Sequence, residues 1–383
     1  MSSGTPEVSI VFPCLNEEAT VGSSIAKARR ALEEAGLDGE IVVCDNGSTD
    51  NSCRIAREAG ARVVHEPRQG YGYALRRGIE EAQGQYIVIA DADDTYDLGA
   101  LPRFLEPLRQ GYQFVVGDRF TGGIQPGAMP WLHQHLGTPL LSLILRLLFG
   151  ASVADSQCGM RAFSREAYHK MRLRTTGMEF ASEMLVNAMR ANLAIAQAPV
   201  RYYPRQGASK LRSFRDGWRH LRFMLLYSPA YLYWLPGGLM FALGLLILAA
   251  LTPGPLYIGG RAIDLHMQVV GAMLTILGFQ LGSLGLYART YALTEGFEEH
   301  DALLEAFYRR FTLERGILVG ALLLLIGLTG DGYIVWRWTS SGFGSLDQVR
   351  LAIFGLTFIV VGSQIVFSSF LLSLMGIRHI HER

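Results

Sequence analysis

The chain has 383 residues, half of them hydrophobic and 18% charged, with a formal net charge of +1 and a mean hydropathy of +0.21. That length accommodates one full-sized domain and a second unit, and the apolar bias points to a membrane protein. The near-neutral charge excludes a nucleic-acid binder that works by neutralising phosphates, and four cysteines without a CxxC pair exclude a zinc or disulfide framework and fit a reduced, cytoplasmic setting.

Residues 1–7 are polar and lead straight into a strand pattern, so no signal peptide is expected there. Residues 8–15 read as a strand. Asn16 reads as the N-cap of a helix with Glu17 and Glu18 in its first turn, stopping near Gly36. Strands follow over 41–44, 62–65 and 86–90, with helices over 52–59 and 73–82 between them. Apolar strands alternating with helices indicate a parallel sheet covered on both faces. Ligands of such sheets bind at the carboxyl ends of the strands, where Asp45, Asp91 and Asp93 stand.

Asp91-Ala92-Asp93 is the sharpest local feature, because two carboxylates at the mouth of a buried strand can grip a divalent cation that in turn grips a diphosphate. Asp-x-Asp is also common in acidic turns, and Asp45-Asn46-Gly47-Ser48 also has the composition of a capped turn. Further on, residues 212–227 set Arg212, Arg215, Arg219 and Arg222 on one helical face and Trp218, Leu221, Phe223 and Leu226 on another, which suits an interfacial helix on anionic lipid. The bland alternative is an ordinary amphipathic helix packed on the soluble domain. Four apolar stretches, 232–251, 269–286, 317–335 and 351–375, are each near the ~20 residues a bilayer crossing needs. The second is the least certain, since Gly271, Gly278, Gly282 and Gly285 also suit close helix packing. Arg289, Arg309, Arg310 and Arg315 between the second and third spans, against Arg261, Arg337 and Arg350 in the outer connections, mildly favour a cytoplasmic catalytic half.

The motifs Phe12-Pro13-Cys14-Leu15-Asn16-Glu17, Cys44-Asp45-Asn46-Gly47-Ser48-Thr49-Asp50, Arg68-Gln69-Gly70-Tyr71-Gly72 and Asp91-Ala92-Asp93, in this order at successive strand ends, resemble the family-two glycosyltransferases of the GT-A fold. Gly117-Asp118-Arg119-Phe120, the 155–161 turn, Glu179-Phe180-Ala181-Ser182-Glu183 and Arg205-Gln206-Gly207-Ala208-Ser209-Lys210 resemble the polyprenyl-phosphate branch, which includes the dolichol-phosphate mannose synthases. The resemblance covers roughly residues 6–230. It implies an α/β GT-A (Rossmann-like) domain over 1–211, an interfacial helix region over 212–231 and a transmembrane domain of about four helices over 232–383.

The resemblance further implies a nucleotide-sugar site at Pro13, Leu15, Asn16, Glu17, Asp45, Gly47, Ser48, Gly70, Asp91 and Ala92, with Mg2+ or Mn2+ on Asp91 and Asp93. Asp93, Arg119, Arg205 and Lys210 are the expected catalytic groups. Arg119, Arg205, Ser209 and Lys210 are expected to hold the acceptor phosphate, since guanidinium and ammonium groups match phosphate oxygens. Each of these cations also has a reading as solvated surface. Arg161 is open between pairing with Asp155 and pairing with Glu183, and Glu179 and Glu183, four apart, are open between pocket shaping and catalysis. His133 and His135 beside Trp131 read first as helix-surface residues, with a phosphate-binding role as the alternative. Thr95 stands where mannose synthases of the family often have Gln, so Asp94 or water is expected to complete the cation's shell, and a UDP-sugar is expected over GDP-mannose. Expected partners are a nucleotide sugar, a polyprenyl phosphate lipid and the membrane, with no nucleic acid; homo-oligomer formation is left open. A hydroxyl glycolipid acceptor and a non-catalytic lipid-carrier translocation module are the competing readings.

Overall fold

The computed structural model describes residues 5–150, 152–206, 213–228, 230–294 and 302–380. The chain divides into two compact units, Met1–Tyr227 and Ser228–Arg383. In the first, the elements run β1 (Val8–Cys14), α1 (Val21–Glu34), β2 (Gly39–Asp45), α2 (Ser52–Glu58), β3 (Arg62–His65), α3 (Tyr71–Glu81) and β4 (Tyr86–Ile89). They continue with α4 (Leu101–Arg109), β5 (Phe114–Asp118), α5 (Arg119–Gly122), α6 (Thr138–Phe149), β6 (Arg161–Ser164), α7 (Arg165–Met171), α8 (Phe180–Arg190), β7 (Ile195–Pro199) and α9 (Ser213–Leu226).

The seven strands form one sheet in the order β3-β2-β1-β4-β6-β5-β7. β3, β2, β1 and β4 are parallel, as the alternation of strand and helix implies. β6 runs antiparallel to both its neighbours, β4 and β5, so the sheet is mixed. Successive residues of β1 serve opposite faces: Ile10 and Phe12 join a core with α1 and α4, while Val11 joins one with α3 and α8. A sheet buried on both faces needs apolar residues at every position, which is why these strands do not alternate in polarity.

Asn16 is not a helix cap. It sits in the left-handed region at φ 52°, and α1 starts at Val21 behind Thr20. Asn16 instead joins two strand ends: its N–H donates to Ser48 Oγ (3.0 Å), and its Oδ1 accepts from the Thr49 N–H (2.7 Å). A short polar side chain that tolerates positive φ serves this sharp exit from β1. The basic and apolar faces expected to segregate on α9 are also mixed. Phe223 and Met224 turn into the core beneath α6 and α8, while Trp218 and Leu226 are exposed beside Arg215 and Arg222.

In the second unit, α10 (Leu235–Leu251), a two-stranded hairpin β8–β9 (Leu256–Ile258 and Arg261–Ile263), α11 (Leu265–Thr294), α12 (Ala302–Arg310), α13 (Leu313–Ser340) and α14 (Val349–Ile380) follow. Four segments, Tyr231–Leu251, Leu265–Leu293, Leu313–Ser340 and Val349–Met375, are long and apolar enough to cross a membrane. Gly271, Gly278 and Gly285 of α11 pack closely as well, whereas a Cβ at Gly282 would meet open space. A Cβ at Gly278 would lie 2.3 Å from Phe241 N on α10, and one at Gly244 would lie 2.4 Å from Thr275 N on α11. On α13, Gly320 and Gly327 meet the backbone at Gly362 and Gly355 of α14 in the same way. Lipid supplies no hydrophobic drive between helices, so such close seams carry the association.

Glycine also decides a contact near the carboxyl edge of the sheet. A Cβ at Gly122 would lie 2.2 Å from Val200 O, just past the end of β7. Gly122→Ala is therefore expected to destabilise the first unit by about 1–3 kcal/mol, read as a lower urea midpoint of the purified protein. Gly217→Ala, where a Cβ meets open space on α9, is expected to be neutral or stabilising by up to ~1 kcal/mol.

Candidate active site

β2, β1 and β4 are neighbours and parallel, so their carboxyl ends bring three stretches of chain to one edge: Asp45 onward, Cys14 to Glu18, and Ala90 to Thr95. The first two are joined by backbone donors meeting side-chain acceptors. Asp45 accepts from the Ser48 N–H (3.0 Å) and pairs with His65 Nδ1 (3.2 Å). Burial alone would raise its carboxyl, but hydrogen bonds from Ser48, Cys53 and His65 outweigh it and hold the group below its ordinary value. His65 Nε2 lies 3.1 Å from Arg57 Nη2, which can only donate, so Nδ1 carries the proton shared with Asp45. Asp45, Cys53 and His65 bring donor atoms within 4.8 Å of one another. With both imidazole nitrogens engaged and the Cys53 thiol pushed up to about 11 by burial and by Asp45, the trio is a hydrogen-bonded wall.

Asn46 fastens the next loop. Its amide donates to the carbonyls of Glu66 (3.0 Å) and Arg68 (2.8 Å), and its Oδ1 accepts from the Gly70 N–H (2.7 Å). Gly70 stands at φ 154°, and a Cβ there would lie 2.4 Å from Thr176 O. The 174–176 stretch is itself fixed by Glu183, whose buried carboxylate accepts from the N–H groups of Arg174 (2.8 Å) and Thr175 (2.9 Å) and from Thr175 Oγ1 (2.6 Å). Glu183 thus shapes the loop beside Gly70.

The acid pair follows β4. Tyr71 Oη donates to Asp91 Oδ1 (3.1 Å), and a Cβ on Gly159 would lie 2.6 Å from Asp91 Oδ2, so only glycine fits over that carboxylate. Burial and then the charge of Asp93 push Asp91 up to about 7. Asp93 Oδ1 accepts from Thr95 Oγ1 (2.6 Å). Its Oδ2 pairs with Arg205 Nη1 (3.2 Å), while Arg205 Nη2 reaches Glu17 Oε1 (2.6 Å). Glu17, Arg205 and Asp93 therefore form one chain of charges, and Arg205 Nε is buried with no hydrogen-bond partner among the described residues. Two oxygen donors whose shared charge raises one of them are the set a hard divalent cation relieves, so Asp91 and Asp93 fit Mg2+ or Mn2+.

Several expectations give way. Asp94 does not turn to the acid pair; it takes φ 63°, pairs with Lys27 Nζ (2.7 Å) and accepts from Ser23 Oγ (3.1 Å). Thr95, in the place of the family's amide, holds Asp93. Arg119 does not stand free for a phosphate: it is buried, its Nε and Nη2 donating to Asp155 (2.6 and 2.8 Å), with Tyr202 stacked 5.0 Å away. Burial works to discharge Arg119, and Asp155 outweighs it. Arg161 is hydrogen-bonded to neither Asp155 nor Glu183. Its guanidinium donates to the carbonyls of Cys158 (2.9 Å), Ser156 (2.8 Å) and Ala181, and burial pulls it below its ordinary value. His135 is exposed, its ring tilted at 42° to that of Trp131 with centroids 5.1 Å apart, a surface arrangement. Pro13 and Leu15 are half-buried at the end of β1, Ala92 is buried, and Gly47 takes φ 89° beside Asp45. Ser209 and Lys210 lie outside the described residues. His65 and Tyr71, absent from the expected set, entered through partners twenty residues away, beyond any local pattern.

Residues 9–172 match glycosyl transferase family 2, and residues 286–376 match the glycosyltransferase family 2 C-terminal transmembrane region. The low-salt glycan biosynthesis hexosyltransferase Agl6 of Haloferax volcanii is 41% identical over 97% of this chain and 89% of its own length. A dolichyl-phosphate hexose transferase of the same organism is 36% identical over 55% of this chain and 89% of its own. Among solved structures, glucosyl-3-phosphoglycerate synthase from Mycobacterium tuberculosis, in complex with Mn2+, UDP and glucosyl-3-phosphoglycerate, is 27% identical over 58% of this chain and 80% of that one, with a TM-score of 0.48.

Asp155→Ala should strand the buried Arg119 charge. The expected loss is about 3–5 kcal/mol of stability, measured as a drop in the urea midpoint; an unchanged midpoint would mean that water reaches the guanidinium.

Proposed function

The chain belongs to glycosyl transferase family 2, and from that premise we propose that it moves a hexose from a nucleotide sugar to a polyprenyl monophosphate. The observation that carries this reading is Arg205. A guanidinium that reaches the acid pair and, among the described residues, keeps one buried donor unpartnered suits an anionic oxygen arriving beside the donor diphosphate. The likeness to a dolichyl-phosphate hexose transferase across the catalytic half supports the same acceptor.

In this reading Asp45, with Gly47, Ser48, Asn16, Leu15 and Pro13 around it, holds the nucleoside, and Glu17, Gly70 and Ala92 line the way to the diphosphate. Asp91 and Asp93 hold Mg2+ or Mn2+, which when bound neutralises the diphosphate and makes it a better leaving group. Arg205, joined by Ser209 and Lys210, aligns the acceptor phosphate, and Arg119 fixes the floor of that site through Asp155. A phosphate monoester has a second pKa of ~6 and is largely ionised near neutrality, so no side chain need act as its base. The sugar then transfers in one in-line displacement, with inversion at the anomeric carbon. The departure at Thr95 supports a UDP-sugar over GDP-mannose. The arginines between the second and third spans support a catalytic unit on the cytoplasmic side of the membrane.

Purified protein with UDP-hexoses and a short polyprenyl phosphate is expected to release UDP only when the lipid phosphate is present, and to give a product of opposite anomeric configuration by NMR. Release without lipid stimulation from any donor, or stimulation by diacylglycerol instead, would overturn the acceptor; a retained configuration would overturn the single displacement. Arg205→Ala is expected to lower kcat by about 10²–10³-fold, as loss of one preorganised charge donor does.

A further inference from the structure

Among the described residues, one group of three side chains has a mixed metal-ligand composition: Asp45, Cys53 and His65, whose carboxylate oxygen, sulfur and ring nitrogen all lie within 4.8 Å of one another. Asp45 Oδ2 and His65 Nδ1 stand 3.2 Å apart. That is close to the edge of a tetrahedral shell with bonds of ~2.0–2.2 Å to oxygen and nitrogen, and the sulfur has at most roughly 1 Å to close to join them. The trio is reachable, since the His65 side chain is 56% exposed and Cys53 is half-buried. Asp45 Oδ1 is engaged by the Ser48 N–H (3.0 Å), so Oδ2 is the oxygen on offer.

In its protonated form this trio is the wall described above, with one proton on the Cys53 sulfur and one on His65 Nδ1. We propose that a thiophilic cation of the Zn2+ class replaces them, ligated by Asp45 Oδ2, the Cys53 thiolate and His65 Nδ1, and that by occupying Asp45 it shuts the nucleoside pocket. In this exchange the thiol proton leaves to solvent, the imidazole proton moves from Nδ1 to Nε2, and the ring stays neutral. Ligand softness favours it. Thiolate and imidazole select Zn2+, whereas the all-oxygen pair at Asp91 and Asp93 selects Mg2+ or Mn2+, so two kinds of ion are sorted between two sites. The local field favours it as well: burial keeps the thiol protonated, but the Asp45 and Asp50 charges that add to this attract a dication. Arg57 opposes the ion. Its Nη2 lies 3.1 Å from His65 Nε2 and loses its acceptor once that nitrogen carries the proton, and, being exposed, it is free to swing clear. Binding of the ion rests on these side chains alone; the inhibition rests on the reading of Asp45 as the group that holds the nucleoside.

The test uses the full-length chain in saturating Mn2+, with Co2+ as the spectroscopic stand-in for Zn2+. Co2+ is expected to raise a sulfur-to-cobalt charge-transfer band in the near ultraviolet, which Zn2+ bleaches by displacement. Cys53→Ser should abolish the band, and Arg57→Ala should bring it up at lower Co2+. In calorimetric titrations of the unaltered chain, the apparent affinity for UDP should fall in step with free Zn2+, without a plateau. In Cys53→Ser the same fall should need at least ~10–100-fold more Zn2+, the cost of losing even an outer partner of a metal ligand. A missing band, or one that survives Cys53→Ser, would overturn the metal site. Equal inhibition of the two proteins by Zn2+ would overturn the inhibition at Asp45, assigning it to displacement of Mn2+ from Asp91 and Asp93. Failure of UDP to bind even without Zn2+ would overturn the nucleotide reading and the inhibition with it, while the band still decides the metal site.

Discussion

The site depends on carboxylates being gathered at the carboxyl edge of a buried sheet and compensated one by one. Asp45, Asp91 and Asp93 stand at or just past the ends of adjacent parallel strands, where nothing further in the strand can neutralise them. Asp45 is quieted by hydrogen bonds and by His65, whereas Asp91, shielded and next to Asp93, is pushed up to about 7. Asp93 takes an internal cation, Arg205, which also joins it to Glu17. The arrangement leaves the acid pair short of positive charge, which a metal ion and the groups it carries would supply.

The loops around this edge are held by polar side chains acting as backbone partners rather than by apolar burial. Asn16, Asn46 and Glu183 each fix a stretch of chain other than their own, and Gly70 and Gly159 leave room where a Cβ would collide. Such loops keep their shape while leaving their surfaces open to a ligand. The second unit solves a different problem: inside lipid, association comes from close backbone approach, and the glycine seams of α10 with α11 and of α13 with α14 provide it.

Much of this was legible in the sequence, and the parts that were not share one cause. Strand and helix order, the strand-end acids and four apolar spans follow from periodicity and composition, which are local properties. Arg119, Arg161 and Arg205 carry the same charge in the sequence yet end in three environments: a buried carboxylate pair, three backbone carbonyls and a bridge between two acids. Their partners lie from 3 to 188 positions away, so charge type alone could not sort them. Asn16 and Asp94 were misplaced for a related reason: each adopts positive φ, and the backbone turn sends the side chain away from where a helix cap or a metal shell would have had it.

The proposed role of the acid pair at Asp91 and Asp93 is to recruit the nucleotide through a divalent cation. Calorimetric titration of UDP into the full-length protein, once with Mn2+ and once with the metal chelated, measures that coupling directly. Removing the metal is expected to weaken UDP binding by roughly 5–150-fold, a coupling of the size typical between linked ligands. Equal affinity in the two titrations would contradict it.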